Sequence, residues 1–301
     1  MKTRHAPKSG QAQRPNSTGF LLLVITTVGW GMNWPAMKVL LAELPPLTTR
    51  AIGGGLGFIV LLGVALAQKQ SLVVPRAIWG RLTLISLLNV TAWMGLASFS
   101  LLWLTASEAT IICYTMPVWA AVFAWLLLGE KPSLARVLAL VLALSGLVYL
   151  VLGKGLDLGL AKLPGVALGL GSAVLFALGT VLTKRLPLGL PPSTSVAWQV
   201  GIGVAPLFLA ALIFDPLDFS HVSTLGVVLL IYGGVFALGL CYLSWFAALK
   251  MLPASLASLG TIITPVVGVV GAAVFLGEPF GLREILALVL VLSGVVLAVR
   301  G

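Results

Sequence analysis

Residues 128–132 read LGEKP and residues 276–280 read LGEPF, so a Leu-Gly-Glu sequence recurs at a spacing of 148 residues. The match continues at the same spacing, without a gap, over residues 106–146 and 254–294. A block of this length is not expected by chance. We infer that the chain contains an internal duplication.

The duplicated sequence is divided into apolar runs by short segments rich in proline, glycine and charge. A transmembrane helix needs about 20 apolar residues, and each copy contains five runs of about that length. The pattern predicts two five-helix repeats, at residues 19–153 and 164–301. The ten predicted spans lie near 19–41, 47–67, 81–104, 107–128, 134–152, 164–183, 194–213, 225–247, 255–276 and 283–299.

The composition is that of an integral membrane protein. Of the 301 residues, 59% are hydrophobic and only 9% are charged, whereas a soluble domain carries about 25% charged residues. The net charge of +10 does not indicate nucleic-acid binding, because the basic residues are scattered singly or in pairs between apolar runs. Residues 1–18 are polar and basic, and they are predicted to form a disordered tail.

The basic residues also predict the orientation of the chain. If the N-terminus is cytoplasmic and there are ten spans, 13 of the 18 Lys and Arg residues lie on the cytoplasmic side. This bias favours a multi-pass protein with both termini in the cytoplasm. Because each repeat has an odd number of spans, the second repeat must enter the membrane from the opposite face. The sequence therefore predicts an all-α protein with two inverted five-helix repeats around a central cavity, an architecture typical of secondary transporters.

The repeated block resembles a known family. The segments Ala106–Glu130 and Ala254–Glu278, each with a small-residue start, a central proline and a final Leu-Gly-Glu, are similar to the EamA module of the drug/metabolite transporter superfamily. WGMNWP at 30–35, followed by Pro46 and Arg50, resembles the opening helix pair of that family. The resemblance covers about residues 19–300. It implies export of a small metabolite across a bacterial-type inner membrane, and the nearest likeness is to YddG-type exporters of aromatic and other neutral amino acids.

Aromatic and amide side chains recur at helical spacing inside the predicted spans. Trp30, Asn33, Trp34 and Met37 share one face of the first helix, and an amide at this depth is expected to face a cavity or a protein partner. Pro117 and Pro265 are interpreted as structural kinks. The substrate-binding residues predicted on this basis are Trp30, Asn33, Trp34, Asn89, Trp93, Tyr114, Phe176, Thr180, Tyr232 and Thr261.

Ionisable residues are rare inside the predicted spans. Glu108 is the one acidic residue expected somewhat inside a span, near the external mouth and within reach of water. A proton-coupled pump normally needs a buried titratable relay, so gradient-driven transport by alternating access is favoured over proton coupling. Lys38, Arg50 and Lys250 are expected to extend towards lipid headgroups, leaving no cation at the midplane.

Other classes of protein are less consistent with the sequence. No phosphate-binding glycine loop is present, no metal or other cofactor is predicted, and the spans lack the paired acids or Ser–His pairs of an intramembrane enzyme. The expected partners are the lipid bilayer and a small-molecule substrate, an amino acid in the leading hypothesis. The alternative is an exporter of other small metabolites or drugs, with or without proton coupling, and the sequence leaves the oligomeric state open.

Overall fold

The computed structural model describes residues 17–130, 133–152, 160–216, 218–252 and 254–300. Side chains at 136, 151, 254–261, 299 and 300 lie outside that description. The predicted tail also lies outside it, except for Ser17 and Thr18, which belong to the first helix rather than to the tail.

All the described secondary structure is helical, as the composition predicts. In lipid, a helix satisfies its own backbone hydrogen bonds, which no open strand can do. The helical segments of the described residues are α1 (Ser17–Leu40), α2 (Pro46–Ala67), α3 (Arg76–Ser100), α4 (Ala106–Leu128), α5 (Leu134–Leu152), α6 (Leu163–Arg185), α7 (Pro192–Phe214), α8 (Thr224–Met251), α9 (Ala254–Leu276) and α10 (Leu282–Arg300).

Seven of these helices, α1–α4 and α6–α8, are long and apolar enough to cross a membrane. Shorter apolar stretches, Val137–Leu150 and Ile262–Leu276, lie within α5 and α9. Over the described residues, the structure therefore confirms an all-helical protein, and seven of its helices are suited to crossing a membrane. The count of ten spans stays a prediction.

Helix boundaries follow local sequence rules. Proline occupies the first turn of α2 and α7, where its missing N–H has no helical partner to lose. The Leu-Gly-Glu segments end α4 and α9, and their glycines adopt φ values of +71° at Gly129 and +65° at Gly277. A left-handed residue of this kind ends a helix, and glycine adopts it without strain. The duplicated sequence thus stops two helices in the same way.

Irregular helix also recurs at corresponding places. A π-helical segment interrupts α3 at Leu87–Ala92 and α8 at Tyr232–Leu240. These are the third helices of the two predicted repeats. Pro117 follows a break in α4 at Tyr114 and Thr115, as expected of a kink, whereas Pro265 lies within the continuous helix α9.

Helix packing is symmetric between the two halves: the main contacts of α1–α5 correspond to those of the helices five places later in the chain, α6–α10. The main contacts pair α5 with α10 and α2 with α7, and each of these pairs maps onto itself. The contacts of α1 with α8 and α9 are matched by those of α6 with α3 and α4. The contact of α2 with α8 is likewise matched by that of α7 with α3.

The contact between α5 and α10 is reciprocal at the level of single residues. A Cβ atom at Gly146 would lie 3.0 Å from the carbonyl oxygen of Ala287, and one at Gly294 would lie 2.6 Å from that of Ala139. Both pairs are related by the 148-residue spacing of the repeat. Because Gly146 meets Ala287 while Gly294 meets Ala139, the two helices run antiparallel.

Polar contacts between helix ends define two faces of the molecule. The Glu108 face comprises residues 38–50, 98–108, 160–163, 214–216, 218–224 and 276–284; one of its links is the Thr48 amide donating to Asp215 Oδ2 at 2.7 Å. The Gln68 face comprises residues 67–76, 128–130 and 184–198; one of its links is the Ser193 hydroxyl donating to Gln68 Oε1 at 2.8 Å.

Candidate functional site

A cavity of about 180 Å³ lies between the helices. Its walls come from α1, α2, α3 and α4 of the first repeat and from α6, α7 and α8 of the second. Lining residues extend from mid-helix positions such as Asn89 and Tyr242 to Leu40 and Thr49. The cavity is therefore displaced from the middle of the bundle towards the Glu108 face.

Four aromatic side chains, Trp34, Trp93, Tyr114 and Phe176, form one continuous wall of the cavity, the aromatic wall. The Trp34 ring centroid lies 6.4 Å from that of Trp93 and 6.3 Å from that of Tyr114. The Trp93 and Phe176 centroids are 4.9 Å apart, with the rings tilted by 49°. Such tilted and edge-on pairs suit the ring quadrupoles. The wall presents a large apolar surface that is held in place by the packing of its own members.

The helical stripe predicted on α1 is brought to the cavity intact. Trp30, Asn33, Trp34 and Met37 all line it, because the i, i+3, i+4, i+7 spacing places them on one side of a regular helix. Trp30 also donates its indole N–H to the Ala237 carbonyl of α8 at 2.9 Å.

Seven of the ten predicted binding residues line this cavity, and three do not belong to its described lining. The seven are Trp30, Asn33, Trp34, Asn89, Trp93, Tyr114 and Phe176. Thr261 lies in α9, but its side chain falls outside the described residues. Thr180 and Tyr232 are placed elsewhere.

Thr180 is exposed, and its hydroxyl donates to the Phe176 carbonyl at 2.9 Å. The preceding residue, Gly179, faces α3, where a Cβ atom would lie 2.1 Å from Asn89 Oδ1. Because Gly179 takes the inward position, Thr180 is turned away from the cavity. The prediction that Thr180 lines the cavity is wrong.

The prediction that Tyr232 lines the cavity is also wrong. Its hydroxyl donates to the Gly29 carbonyl at 2.7 Å, and its ring stacks on Phe236 at a centroid distance of 5.4 Å. It thus joins α8 to α1, while Leu229 and Gly233 line the cavity beside it. These two residues take the cavity-facing positions on this part of α8, and the hydrogen bond to Gly29 holds Tyr232 against α1 instead.

Arg50 is a cavity residue that sequence reasoning missed. It was expected to reach towards headgroups, but its half-buried side chain lines the cavity, and its Nε donates to the Ser98 hydroxyl. Arg50 lies near the start of α2, yet its long side chain extends inwards. The sequence did contain one signal for this role: Arg50 lies inside a predicted span of a chain that has few charges.

Lys38 likewise does not extend to headgroups. Its ammonium group donates to the carbonyl oxygens of Leu101 and Leu104, the latter at 2.8 Å. These carbonyls lie just beyond the end of α3, where helical partners are missing. Lys38 therefore caps α3 from the end of α1.

Glu108 lies in a buried ion cluster rather than in water. The residue is 3% exposed. Its carboxylate lies 2.6 Å from the Lys162 ammonium and 3.1 Å from Arg283 Nη2, and Arg283 also pairs with Glu284 at 2.8 Å. Glu108 further forms a capping box with Thr105 at the start of α4. We call Glu108, Lys162, Arg283 and Glu284 the Glu108 cluster. The prediction of a solvated carboxylate is wrong.

Comparison with known proteins identifies the family. The sequence matches the EamA-like transporter family twice, over residues 17–152 and 163–300. The chain belongs to this family. It is a membrane transporter that contains a duplicated EamA domain.

Curated relatives match over nearly the whole chain. The chain is 31% identical to the uncharacterized transporter YvbV of Bacillus subtilis over 285 residues, covering 95% of this chain and 92% of that protein. It is 26% identical to a probable amino-acid metabolite efflux pump of Salmonella typhimurium, covering 94% and 95% of the two chains. A solved structure with 19% identity has a TM-score of 0.68 and covers 95% of this chain and 97% of that one, which is a likeness of fold.

Proposed function

We propose that this EamA-family transporter exports neutral amino acids, with aromatic ones favoured, from the cytoplasm across the inner membrane. The observation that supports this most is the cavity: the aromatic wall faces the same space as the amides of Asn33 and Asn89. A substrate molecule with one apolar and one polar end fits such a lining. The volume of about 180 Å³ is below the ~300–1,000 Å³ of sites for drug-sized ligands, which favours a small metabolite over a bulky drug.

Alternating access between two inverted halves is the proposed mechanism. It is supported by the antiparallel packing of α5 on α10, in which Gly146 of α5 contacts α10 and Gly294 of α10 contacts α5 in the same way. If both helices cross the membrane, the axis that relates them lies in the membrane plane, as in inverted-repeat transporters. Such halves can exchange conformations, so that access to the cavity alternates between the two faces.

The energy source is proposed to be the substrate gradient. Among the described residues, the cavity lining contains no Asp, Glu or His. Within the described helices that line the cavity, Glu108 of α4 is the one acidic residue. It is ion-paired to Lys162 and Arg283. A carboxylate held by two cations is poorly suited to release and rebind a proton in each cycle.

The proposal is tested by uptake of radiolabelled phenylalanine into proteoliposomes. Wild-type protein should catalyse saturable uptake. Trp34→Ala and Tyr114→Ala should each lower it about tenfold, because each removes an aromatic contact worth roughly 1 kcal/mol together with packing of the aromatic wall. Trp125→Ala is the matched control, since that residue is exposed on α4 away from the cavity.

Trp34 and Tyr114 are buried, so truncating either should also lower thermal stability, and uptake is compared at equal amounts of folded protein. Unchanged uptake in both cavity variants would show that the substrate binds elsewhere, and the absence of any amino-acid transport by wild type would refute the proposed function.

The energy source is tested with a pH step across the membrane. With equal substrate on both sides, the step should produce no net accumulation of substrate. Accumulation that follows the step would show proton coupling.

The proposed orientation places the Glu108 face outside and both termini in the cytoplasm. His221 and Lys184 are suitable reporters, because their side chains are 86% and 70% exposed on the Glu108 and Gln68 faces, respectively. An impermeant maleimide added to intact cells should label His221→Cys, and should label Lys184→Cys only after permeabilisation. The buried Cys113 and Cys241 should contribute little background.

The reverse labelling pattern would mean the opposite orientation. Labelling of both positions from outside would contradict the assignment of these residues to opposite faces. Wild-type protein, with no added cysteine, is the control.

A further inference from the structure

Arg50 is the one charged residue in the described lining of the cavity. The remaining lining consists of apolar, aromatic, amide, hydroxyl and glycine positions. In the described part of the chain, no Asp or Glu oxygen lies within ion-pair distance of its guanidinium, whose one hydrogen bond there goes to Ser98 Oγ. A guanidinium so placed carries a full charge with several N–H donors still unused.

The contact with Ser98 also orients the guanidinium. Ser98 is buried and donates its own hydroxyl to the Met94 carbonyl at 2.7 Å, so its oxygen is held in place to accept from Arg50 Nε. With Nε engaged, the two terminal nitrogens, Nη1 and Nη2, form the free edge of the guanidinium. That edge matches the two oxygens of a carboxylate in a bidentate pair.

From these observations we propose that Arg50 is the anchor for the carboxylate of the transported molecule, with its apolar body lying on the aromatic wall. This inference rests on the proposed function and makes it more specific. One cation without a second basic residue in the described lining favours a monocarboxylate over a phosphate ester, which carries about two negative charges near neutral pH.

The amino group of the substrate is assigned a lesser role. No carboxylate of this chain is present in the described lining to pair with an ammonium group. The polar side chains left for it in the described lining are neutral and include the half-buried amide of Asn33. The cavity is therefore selective for aromatic and apolar monocarboxylates, of which amino acids are one kind.

The first test varies the ligand and leaves the protein unchanged. In proteoliposomes loaded for counterflow of labelled phenylalanine, 3-phenylpropionate should compete, because it keeps the carboxylate and lacks the amino group. Phenylalaninamide keeps the amino group and lacks the carboxylate. It should compete about 10- to 100-fold more weakly, as expected for loss of a charge-assisted pair.

The second test varies the anchor. Arg50→Gln should lose most phenylalanine counterflow, while Arg50→Lys should keep part of it, because an ammonium retains the charge without the bidentate fork. Lys184→Gln is the matched control: it removes the same charge from an exposed site on the Gln68 face and should behave as wild type. If Arg50→Gln does not fold, the ligand series and Arg50→Lys still decide the question.

The outcomes separate the two proposals. If wild type transports phenylalanine but phenylalaninamide competes as well as 3-phenylpropionate, the anchor is refuted while the proposed function stands. If no amino acid is transported, quenching of tryptophan fluorescence by 3-phenylpropionate decides the anchor, since Trp30, Trp34 and Trp93 line the cavity. Quenching in wild type but not in Arg50→Gln supports the anchor, and its absence in wild type overturns it.

Discussion

The two faces of the molecule derive from duplicated sequence, yet different chemistry holds them together. On the Glu108 face, a buried carboxylate binds Lys162 and Arg283. Among the described contacts of the Gln68 face, neutral groups join helix ends: the Thr194 amide donates to Gln70, and the Trp198 indole donates to the Leu72 carbonyl at 3.0 Å.

An ion pair on the Gln68 face, between Lys184 and Glu130, is exposed. Lys184 and Glu130 lie 3.0 Å apart, with 70% and 32% of their side chains accessible. In the Glu108 cluster, by contrast, Glu108 is 3% exposed. Exposed pairs contribute little to stability, whereas breaking a buried pair is costly.

The sequence explains why the faces differ. At the 148-residue spacing, Glu108 corresponds to Leu256, and Arg283 and Glu284 correspond to Ala135 and Arg136. The Glu108 cluster therefore has no counterpart in the other copy. The glycines that end α4 and α9 are retained in both copies. Duplication preserved the backbone that stops these helices, while the side chains that join helix ends diverged.

The largest expected effect comes from breaking the Glu108 cluster. Glu108→Ala leaves Lys162 and Arg283 without their shared carboxylate and removes the capping box at the start of α4. We expect a loss of about 3–5 kcal/mol in stability, as for other disrupted buried pairs. Lys184→Ala, which breaks the exposed pair on the Gln68 face, should cost at most ~1 kcal/mol.

Thermal unfolding of both variants in the same detergent measures this difference. Equal shifts in Tm would show that the two pairs contribute alike and would remove the distinction between the faces. Arg283 still pairs with Glu284 in this variant, whereas Lys162 loses its carboxylate. A rescue of Glu108→Ala by additional loss of Lys162 would show that the unpaired cation, rather than the lost cap, causes the destabilisation.

A smaller difference is expected between two helix caps on opposite faces. The Glu278 carboxylate accepts from the backbone amides of Ala106 at 2.6 Å and Ser107 at 2.9 Å, and so caps α4. Gln70 caps α7 with a neutral amide oxygen, 3.2 Å from the Thr194 amide nitrogen. Charge-assisted bonds are shorter and stronger, and an anion also suits the positive end of a helix.

Glu278→Ala should therefore cost about 1–2 kcal/mol and Gln70→Ala about 0.5–1 kcal/mol. Urea or thermal unfolding in detergent gives both values. Glu278→Gln is the matched control, since it keeps the acceptor and removes the charge, and it should fall between wild type and Glu278→Ala. A larger loss for Gln70→Ala would reverse the ranking of the faces.

Some features of the binding cavity follow from local sequence, and others do not. The four residues of the α1 stripe line the cavity together because α1 is regular helix up to Leu40. On α8, the same reasoning failed at Tyr232, because its hydroxyl bonds to the Gly29 carbonyl of α1 while Leu229 and Gly233 take the cavity-facing positions. Thr180 failed for another reason: the close contact of Gly179 with α3 sets which side of α6 faces inwards.

By itself, the sequence determined that this is a duplicated, helical, multi-pass membrane protein of the EamA family. Apolar composition, run length, and proline and glycine at helix ends act locally, and the 148-residue spacing can be read directly from the chain. The same local rules identified the aromatic residues that line the cavity from α1.

Only the tertiary structure decided the positions of the charges. Arg50 has a long, flexible side chain that can reach either headgroups or the interior, and the choice depends on Ser98 of α3, which lies 48 residues away in sequence. Glu108 meets Lys162 and Arg283 across 54 and 175 residues. Charge pairing of this kind depends on which helix ends come together, because no local pattern encodes a partner so distant along the chain.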